Sequence, residues 1–367
     1  MKTLILDGSK INNPTSEKIK SSLQTQIPNA ESLILCEQKI GNCAGDFFCW
    51  VRSPGMCNTD DDNRVIAEKI MQSDLVIYLT PVTFGGYSSA LKRMVDHQIQ
   101  NISPFFTTIN GEIHHQRRYK NYPDVLAIGW TDQPDAQSEA VFRQLVHRNA
   151  INMHASTAVS GLVNRESNLD EQIQGWLNEI KNASSSLVPA LSKTEIFCAD
   201  APPVRRAVLL VGSPRTRKST SASLGGYLME QLNSRGVETE IIQVYTSFNS
   251  TERTRLVLEK LDQVDLIVLA FPLYVDSLPA PVIAALEKIS AHRATTKVDQ
   301  RFAAIANCGF PEASHNDTAL AICEEFAHET GMIWLDALAL GGGQGLVGGV
   351  PLKDMDGRAI PLKKSLE

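Results

Sequence analysis

The chain has 367 residues, 43% hydrophobic and 21% charged, which fits two globular domains with full cores at roughly 150 residues each. Its formal charge is −6 and neither half is basic, which argues against a nucleic-acid partner. No apolar run approaches the roughly 18–20 residues of a membrane-spanning helix, and a predicted strand begins by Thr3, so neither a membrane partner nor a signal peptide is expected and the chain reads as cytoplasmic.

In the first half, Thr3–Leu6, Ser32–Leu35, Leu75–Leu79, Val125–Gly129 and Met153–Ser160 read as short buried strands bounded by turn residues. Amphipathic stretches at 15–25, 63–72, 87–100 and 136–149 alternate with them, and a helix at 168–183 closes the half. That alternation predicts a parallel sheet with helices on both faces. Residues 101–123 break the rhythm. With His114-His115 and Arg117-Arg118, they read as a solvated insertion and a candidate lid. Ser184–Ser186, Pro189, Pro202 and Pro203 mark a boundary, giving a domain at 1–188, a linker at 189–204 and a second domain at 205–367.

The second half repeats the plan. Ala207–Val211, Glu240–Val244, Leu266–Ala270, Phe302–Ala306 and Ile333–Leu338 read as strands, with helices at 220–234, 251–261, 280–291 and 316–330. After Gly341 the chain turns glycine-rich, then starts a helix at Pro361–Glu367. A doubly wound sheet ordinarily closes with a full helix at this place, so the last helix reads as cut short.

Each half also carries the same pair of loops. Leu6-Asp7-Gly8-Ser9 leads to Thr15 and Ser16, and Val211-Gly212-Ser213-Pro214-Arg215 leads to Ser219, Thr220 and Ser221. Hydroxyls and amides at a helix start can hold a phosphate; their ordinary structural role is capping. Neither loop is G-x-x-x-x-G-K-[ST] or G-x-G-x-x-G, which argues against ATP or GTP hydrolysis and against a standard dinucleotide fingerprint. A second loop in the first half reads Thr80-Pro81-Val82-Thr83-Phe84-Gly85-Gly86-Tyr87-Ser88-Ser89. Its glycines would let the backbone approach a flat ring, and Phe84 and Tyr87 could cover one. The matching stretch of the second half is Pro272-Leu273-Tyr274-Val275-Asp276-Ser277-Leu278-Pro279.

These motifs resemble the flavodoxin-like NAD(P)H-dependent FMN reductases. In that family a Pro-x-(Tyr/Thr)-aromatic-Gly-Gly-x-Ser-Ser-x-Leu-Lys loop contacts the isoalloxazine, and a Gly-Ser loop holds the FMN phosphate. The resemblance spans nearly the whole chain in two copies. The first half is the closer match at the ring loop and the second at the phosphate loop. Lys10-Ile11 stand where the family has Pro-Arg, and the second half lacks the Gly-Gly pair, so whether it holds FMN stays open. A third flavin-facing loop would start at Trp130 in the first half, and at Asn307, Cys308 and Gly309 in the second.

The fold implied is α/β, two tandem flavodoxin-like doubly wound domains, each with a five-stranded parallel sheet of order 2-1-3-4-5. The activity implied is transfer of a hydride from NAD(P)H through FMN to a small-molecule quinone, nitro, azo or flavin acceptor. The alternative is a flavodoxin-like electron carrier with one working flavin domain and one kept for packing or partner binding. By analogy with the family, the chain forms a homodimer or an internal pseudo-dimer.

Seven cysteines, an odd number in a chain read as unexported, argue against a disulfide framework. Cys43, Cys49 and Cys57 resemble part of the four-cysteine run of the iron–sulfur flavoproteins, with Asp46 in place of one ligand and Cys36 outlying. Such clusters want four thiolates, so no metal is assigned. This segment reads instead as a loop over the flavin edge, with Trp50 as cover and Asp60–Asp62 at the next helix start.

Overall fold

The computed structural model describes residues 1–133, 135–191, 202–296 and 298–367. Most of the expected linker, and Cys198 with it, lies outside the described residues. The chain divides into two compact units, Met1–Leu191 and Ser192–Glu367.

The first unit runs β1 (Thr3–Asp7), α1 (Pro14–Gln26), β2 (Glu31–Ile34), α2 (Phe48–Val51), α3 (Asn63–Met71), β3 (Leu75–Pro81), α4 (Ser89–His97), β4 (Ile102–Ile109), β5 (Glu112–Arg117), β6 (Asp124–Trp130), α5 (Ala136–Asn152), β7 (Ala158–Leu162) and α6 (Leu169–Lys181). Its main sheet has the order β2-β1-β3-β6-β7, all parallel, which is the expected 2-1-3-4-5. β1 is buried at every position, as a central parallel strand covered on both faces must be. Helix starts follow the capping chemistry. Asn13 accepts from the Thr15 and Ser16 N–H groups, Asp135 from Ser138, and Asn168 from Asp170 and Glu171.

Two expectations need correction. The fifth strand begins at Ala158, not Met153, because α5 runs on through Asn152. Val141, Leu145, Val146, Asn149 and Ala150 keep its buried face in helical register, and His154, at φ 53°, ends it in a left-handed turn. Residues 101–123 are not an open loop either. β4 and β5 form an antiparallel hairpin that turns at Asn110-Gly111, both at positive φ, the pairing a two-residue hairpin turn favours. His114 is fully buried there, its Nδ1 2.9 Å from Asn152 Oδ1, and His115 is half-buried, so the pair is not a freely solvated one.

The second unit runs β8 (Arg206–Val211), α7 (Thr220–Ser234), β9 (Glu238–Gln243), α8 (Val244–Ser247), α9 (Thr251–Leu261), β10 (Leu266–Pro272), α10 (Ala280–Arg293), β11 (Arg301–Asn307), α11 (Asp317–Glu329), β12 (Ile333–Leu340), α12 (Gly343–Leu346) and α13 (Ile360–Leu366). Its parallel sheet, read from β9, again has the order 2-1-3-4-5. The tail covers one face of this sheet in short pieces. Val347, Leu352, Ala359 and Leu366 join the core of Leu209, Val211 and Leu224, and Ser223 Oγ donates to the Val350 carbonyl at 2.5 Å.

Close packing leaves no slack where α6 crosses β7. A Cβ on Gly161 would sit 2.1 Å from Trp176 Cε2. Gly161→Ala is therefore expected to destabilise the chain by about 1–3 kcal/mol, read as a lower thermal unfolding midpoint; an unchanged midpoint would contradict this packing.

Candidate active site

Both units bring two loops together at the carboxyl rim of the sheet, where doubly wound folds bind ligands. In the first, Asp7 pairs with Leu79, and the Gly8 N–H continues the ladder to the Leu79 carbonyl at 2.8 Å. In the second, Val211 pairs with Ala270, and Gly212 donates to the Ala270 carbonyl at 2.8 Å. Glycine is needed at both places because the helix after β3 or β10 comes so close. A Cβ would lie 2.5 Å from Leu91 Cβ at Gly8, and 2.6 Å from Val282 Cγ2 at Gly212.

The turns after β3 and β10 share one geometry. Thr83 and Gly86 exchange backbone hydrogen bonds at 3.0 and 2.8 Å, as do Tyr274 and Ser277 at 2.9 and 3.1 Å. The two residues between have positive φ in each case: Phe84 at 53° and Gly85 at 73°, Val275 at 43° and Asp276 at 56°. Inside this turn Gly85 serves packing, since a Cβ would meet Val141 Cβ at 2.8 Å. Phe84 is buried, and Tyr87 sits fully inside, edge-on to Tyr78 and Phe142, so these aromatics belong to the core rather than to a ring cover. Pro81, Val82 and Thr83 stay half-buried at the rim. Pro272, Leu273, Tyr274 and Val275 do likewise in the second unit. Val275 is β-branched in a left-handed conformation, a strained choice of the kind found at functional sites.

The third loops flank these turns. Val82 N–H donates to the Trp130 carbonyl, and Leu273 N–H to the Asn307 carbonyl, each at 2.8 Å. Trp130 itself is buried in the sheet core. Cys308 is buried too, and burial pushes its thiol up. Gly309 is exposed, with open space where a Cβ would be. Asn307, which the sequence places at the start of the third flavin-facing loop without assigning it a contact, donates to Ser221 Oγ and to the Phe271 carbonyl, both at 2.9 Å, tying the start of α7 to β10. A polar residue closing a buried strand was the available signal.

The hydroxyl-rich loops differ between the units. In the second, Ser213 and Ser219–Ser221 are buried, the Ser219 side chain accepts from Ala222 N–H, and Arg215, Arg217 and Lys218 are exposed around them. In the first, the Thr15 and Ser16 N–H groups both go to Asn13 Oδ1, at 3.1 and 3.0 Å. The Ser9 N–H donates to Asp7 Oδ1 at 2.9 Å, and the Ser16 hydroxyl to Asp7 Oδ2 at 2.5 Å. Lys20 Nζ lies 3.1 Å from Asp7 and 2.7 Å from Glu17. Burial opposes the Lys20 charge, yet its bonds to Glu17 and Asp7 hold its pKa above the ordinary value. Asp7 was also not assigned; comparing the two copies position by position, where Val211 stands, would have flagged it.

The cysteine segment folds against the hairpin. Trp50, expected over a flavin edge, instead donates to the Ile99 and Ile102 carbonyls at 2.9 and 3.0 Å and lies 4.6 Å from the His115 ring. Cys43, Cys49 and Cys57 line a cavity of about 20 Å³ together with His97. Burial pushes the Cys43 thiol up to about 12 and Cys49 to about 11. For Cys57 burial works the same way, but hydrogen bonds from His97, whose Nδ1 lies 3.6 Å away, and from Thr59 together outweigh it and lower the thiol, and the Cys57 contact in turn helps raise the histidine. Cys36 lies apart from them, donating to the Ser9 carbonyl at 3.2 Å.

The family model for NADPH-dependent FMN reductase matches residues 1–159 and again 205–343. The chain belongs to the NADPH-dependent FMN reductase family. It is an oxidoreductase of this type, with FMN as cofactor and NAD(P)H as electron donor. No curated protein sequence matches it. Among solved structures, the NAD(P)H:quinone oxidoreductase of Methanothermobacter marburgensis is similar at 15% identity and a TM-score of 0.36, over 45% of this chain and 93% of that one. An FMN-dependent NADH-azoreductase of Bacillus anthracis, in complex with FMN, shares 12% identity at 0.33, over 44% and 98%. An NADH:FMN oxidoreductase in apo form shares 18% at 0.36, over 44% and 86%. Among the described residues of this reductase, no helix is long and apolar enough to cross a membrane.

Burial lowers the His115 imidazole from 6.5 to about 4. The unfolded ring takes up a proton as pH falls through 6.5, and the folded ring resists until about 4. This contribution, roughly 3 kcal/mol in full, is intact above the unfolded value and is lost across that window as pH falls. His115→Phe should flatten the acid loss of unfolding free energy by a measurable part of that amount in denaturant titrations; an identical pH slope would contradict the burial.

Proposed function

We propose that this reductase passes a hydride from NAD(P)H, by way of FMN, to a small organic acceptor of the quinone, nitro, azo or free-flavin class, in the cytoplasm. When bound, FMN supplies a ring that accepts two electrons and a proton as hydride and releases them to an acceptor. What carries the reading is the second unit's rim, where a hydroxyl-rich, cationic loop at the start of a fifteen-residue helix lies beside a strained two-residue turn. The donor set fits a flavin mononucleotide. Ser213, Arg215, Ser219, Thr220 and Ser221 match a phosphate, with the α7 N-terminus adding its positive end. Pro272, Leu273, Tyr274, Val275 and Gly309, with Cys308 buried beside it, would offer a half-open ledge for one ring face. The other ring face would stay open to nicotinamide and acceptor in turn.

The test is NAD(P)H oxidation by FMN-loaded protein with a panel of quinones, nitroaromatics, azo dyes and free flavin. Turnover with at least one class is expected. Ser219→Asp, which puts a like charge at the phosphate loop, should weaken FMN retention at least tenfold. Absence of NAD(P)H oxidation by flavin-loaded protein, or unchanged FMN affinity in the variant, would contradict the assignment.

A further inference from the structure

We propose that the first unit's nucleotide loop is closed to phosphate by the chain's own carboxylate, Asp7, so that each chain carries one FMN, on the second unit. This rests on the FMN reading above and adds which half serves it.

A phosphate at such a loop needs backbone N–H donors, hydroxyl donors and no competing anion. In the first unit the Ser9, Thr15 and Ser16 amides and the Ser9 and Ser16 hydroxyls already serve oxygens of the chain. Asp7 ends β1, is 1% exposed, and takes the Ser9 N–H and the Ser16 hydroxyl. Asn13 takes the Thr15 and Ser16 N–H groups, Pro14 has no N–H to give, and the Ser9 hydroxyl donates to the Lys10 carbonyl at 3.2 Å. Lys20, the cation facing the carboxylate, is shared with Glu17. Asp7 therefore occupies, in charge and in hydrogen bonding, the role an incoming phosphate would fill.

In the second copy the Ser219 and Thr220 hydroxyls also serve chain carbonyls, of Thr216 and Gly343, but the charge is reversed. Val211, fully buried and uncharged, stands at the same register position, one residue before the glycine that bonds the neighbouring strand. Its loop is longer by two residues between strand end and helix cap, and carries Arg215, Arg217 and Lys218 where the first loop carries only Lys10. A dianion next to a buried carboxylate is repelled, and the same dianion among exposed cations at a helix start is drawn in.

The experiment is flavin counting on the full chain. Protein saturated with FMN and freed of excess should release one equivalent per chain on denaturation, and Ser219→Asp should release close to none. In that Ser219→Asp background, Asp7→Asn removes the charge at constant size and should tighten FMN binding at least tenfold; Asp7→Ser serves as a second variant should the first fold poorly. Two equivalents from the unaltered chain, one equivalent surviving Ser219→Asp, or no gain in FMN affinity from either well-folded Asp7 variant would overturn the proposal. Two equivalents with NAD(P)H oxidation intact would sink this inference and leave the reductase reading standing. No equivalent and no NAD(P)H oxidation would sink both.

Discussion

Everything at the rim depends on parallel pairing between the first and third strands of each sheet. In-register pairing of β1 with β3, and of β8 with β10, sets two loops distant in sequence side by side. The loop glycine completes that ladder with one more hydrogen bond, and having no Cβ it lets the next helix close over it. A shift of one residue would exchange the side chains packed on each strand's two covered faces and separate the loops. The rim is thus a consequence of sheet register before it is a property of any polar residue.

On that shared scaffold the copies have diverged in charge and in strain. The first ends its leading strand in a carboxylate and satisfies it internally with a serine, a backbone amide and a lysine. The second ends its strand in valine and leaves cations around the loop. The turns diverge the other way. The first turn holds one non-glycine residue, Phe84, in the left-handed region and uses glycine where the backbone meets α5, and the second holds two, Val275 and Asp276, at a conformational cost of order 1–3 kcal/mol each. A less strained turn with an anionic loop, and a more strained turn with a cationic loop, is the division that the one-flavin proposal calls for.

Much of this was legible in the sequence. The repeat, the strand–helix alternation, the sheet order through family resemblance and the capping residues all depend on local chemistry, and they appear in the structure. What escaped depends on partners far along the chain. Asp7 looks like an ordinary loop residue until Ser16 and Lys20 fold back onto it. Gly85-Gly86 suggested an approach to a ligand, but Val141 of α5 explains the first of them. His97 acquires meaning only beside Cys57, and the His114-His115 pair only when β5 is laid on β4 and Asn152. The hairpin turn at Asn110-Gly111 is the exception. Its signal was local, and the surrounding charge and aromatics disguised it as a loop.

The account is tested most directly by the position of phosphorus in a crystal structure of the chain grown with FMN. It predicts one phosphate, within hydrogen-bonding reach of the amides and hydroxyls of Ser219, Thr220 and Ser221, while Asp7 keeps its bonds to Ser9 and Ser16. A phosphate seated on Ser9 and Ser16, with Asp7 displaced, would contradict it.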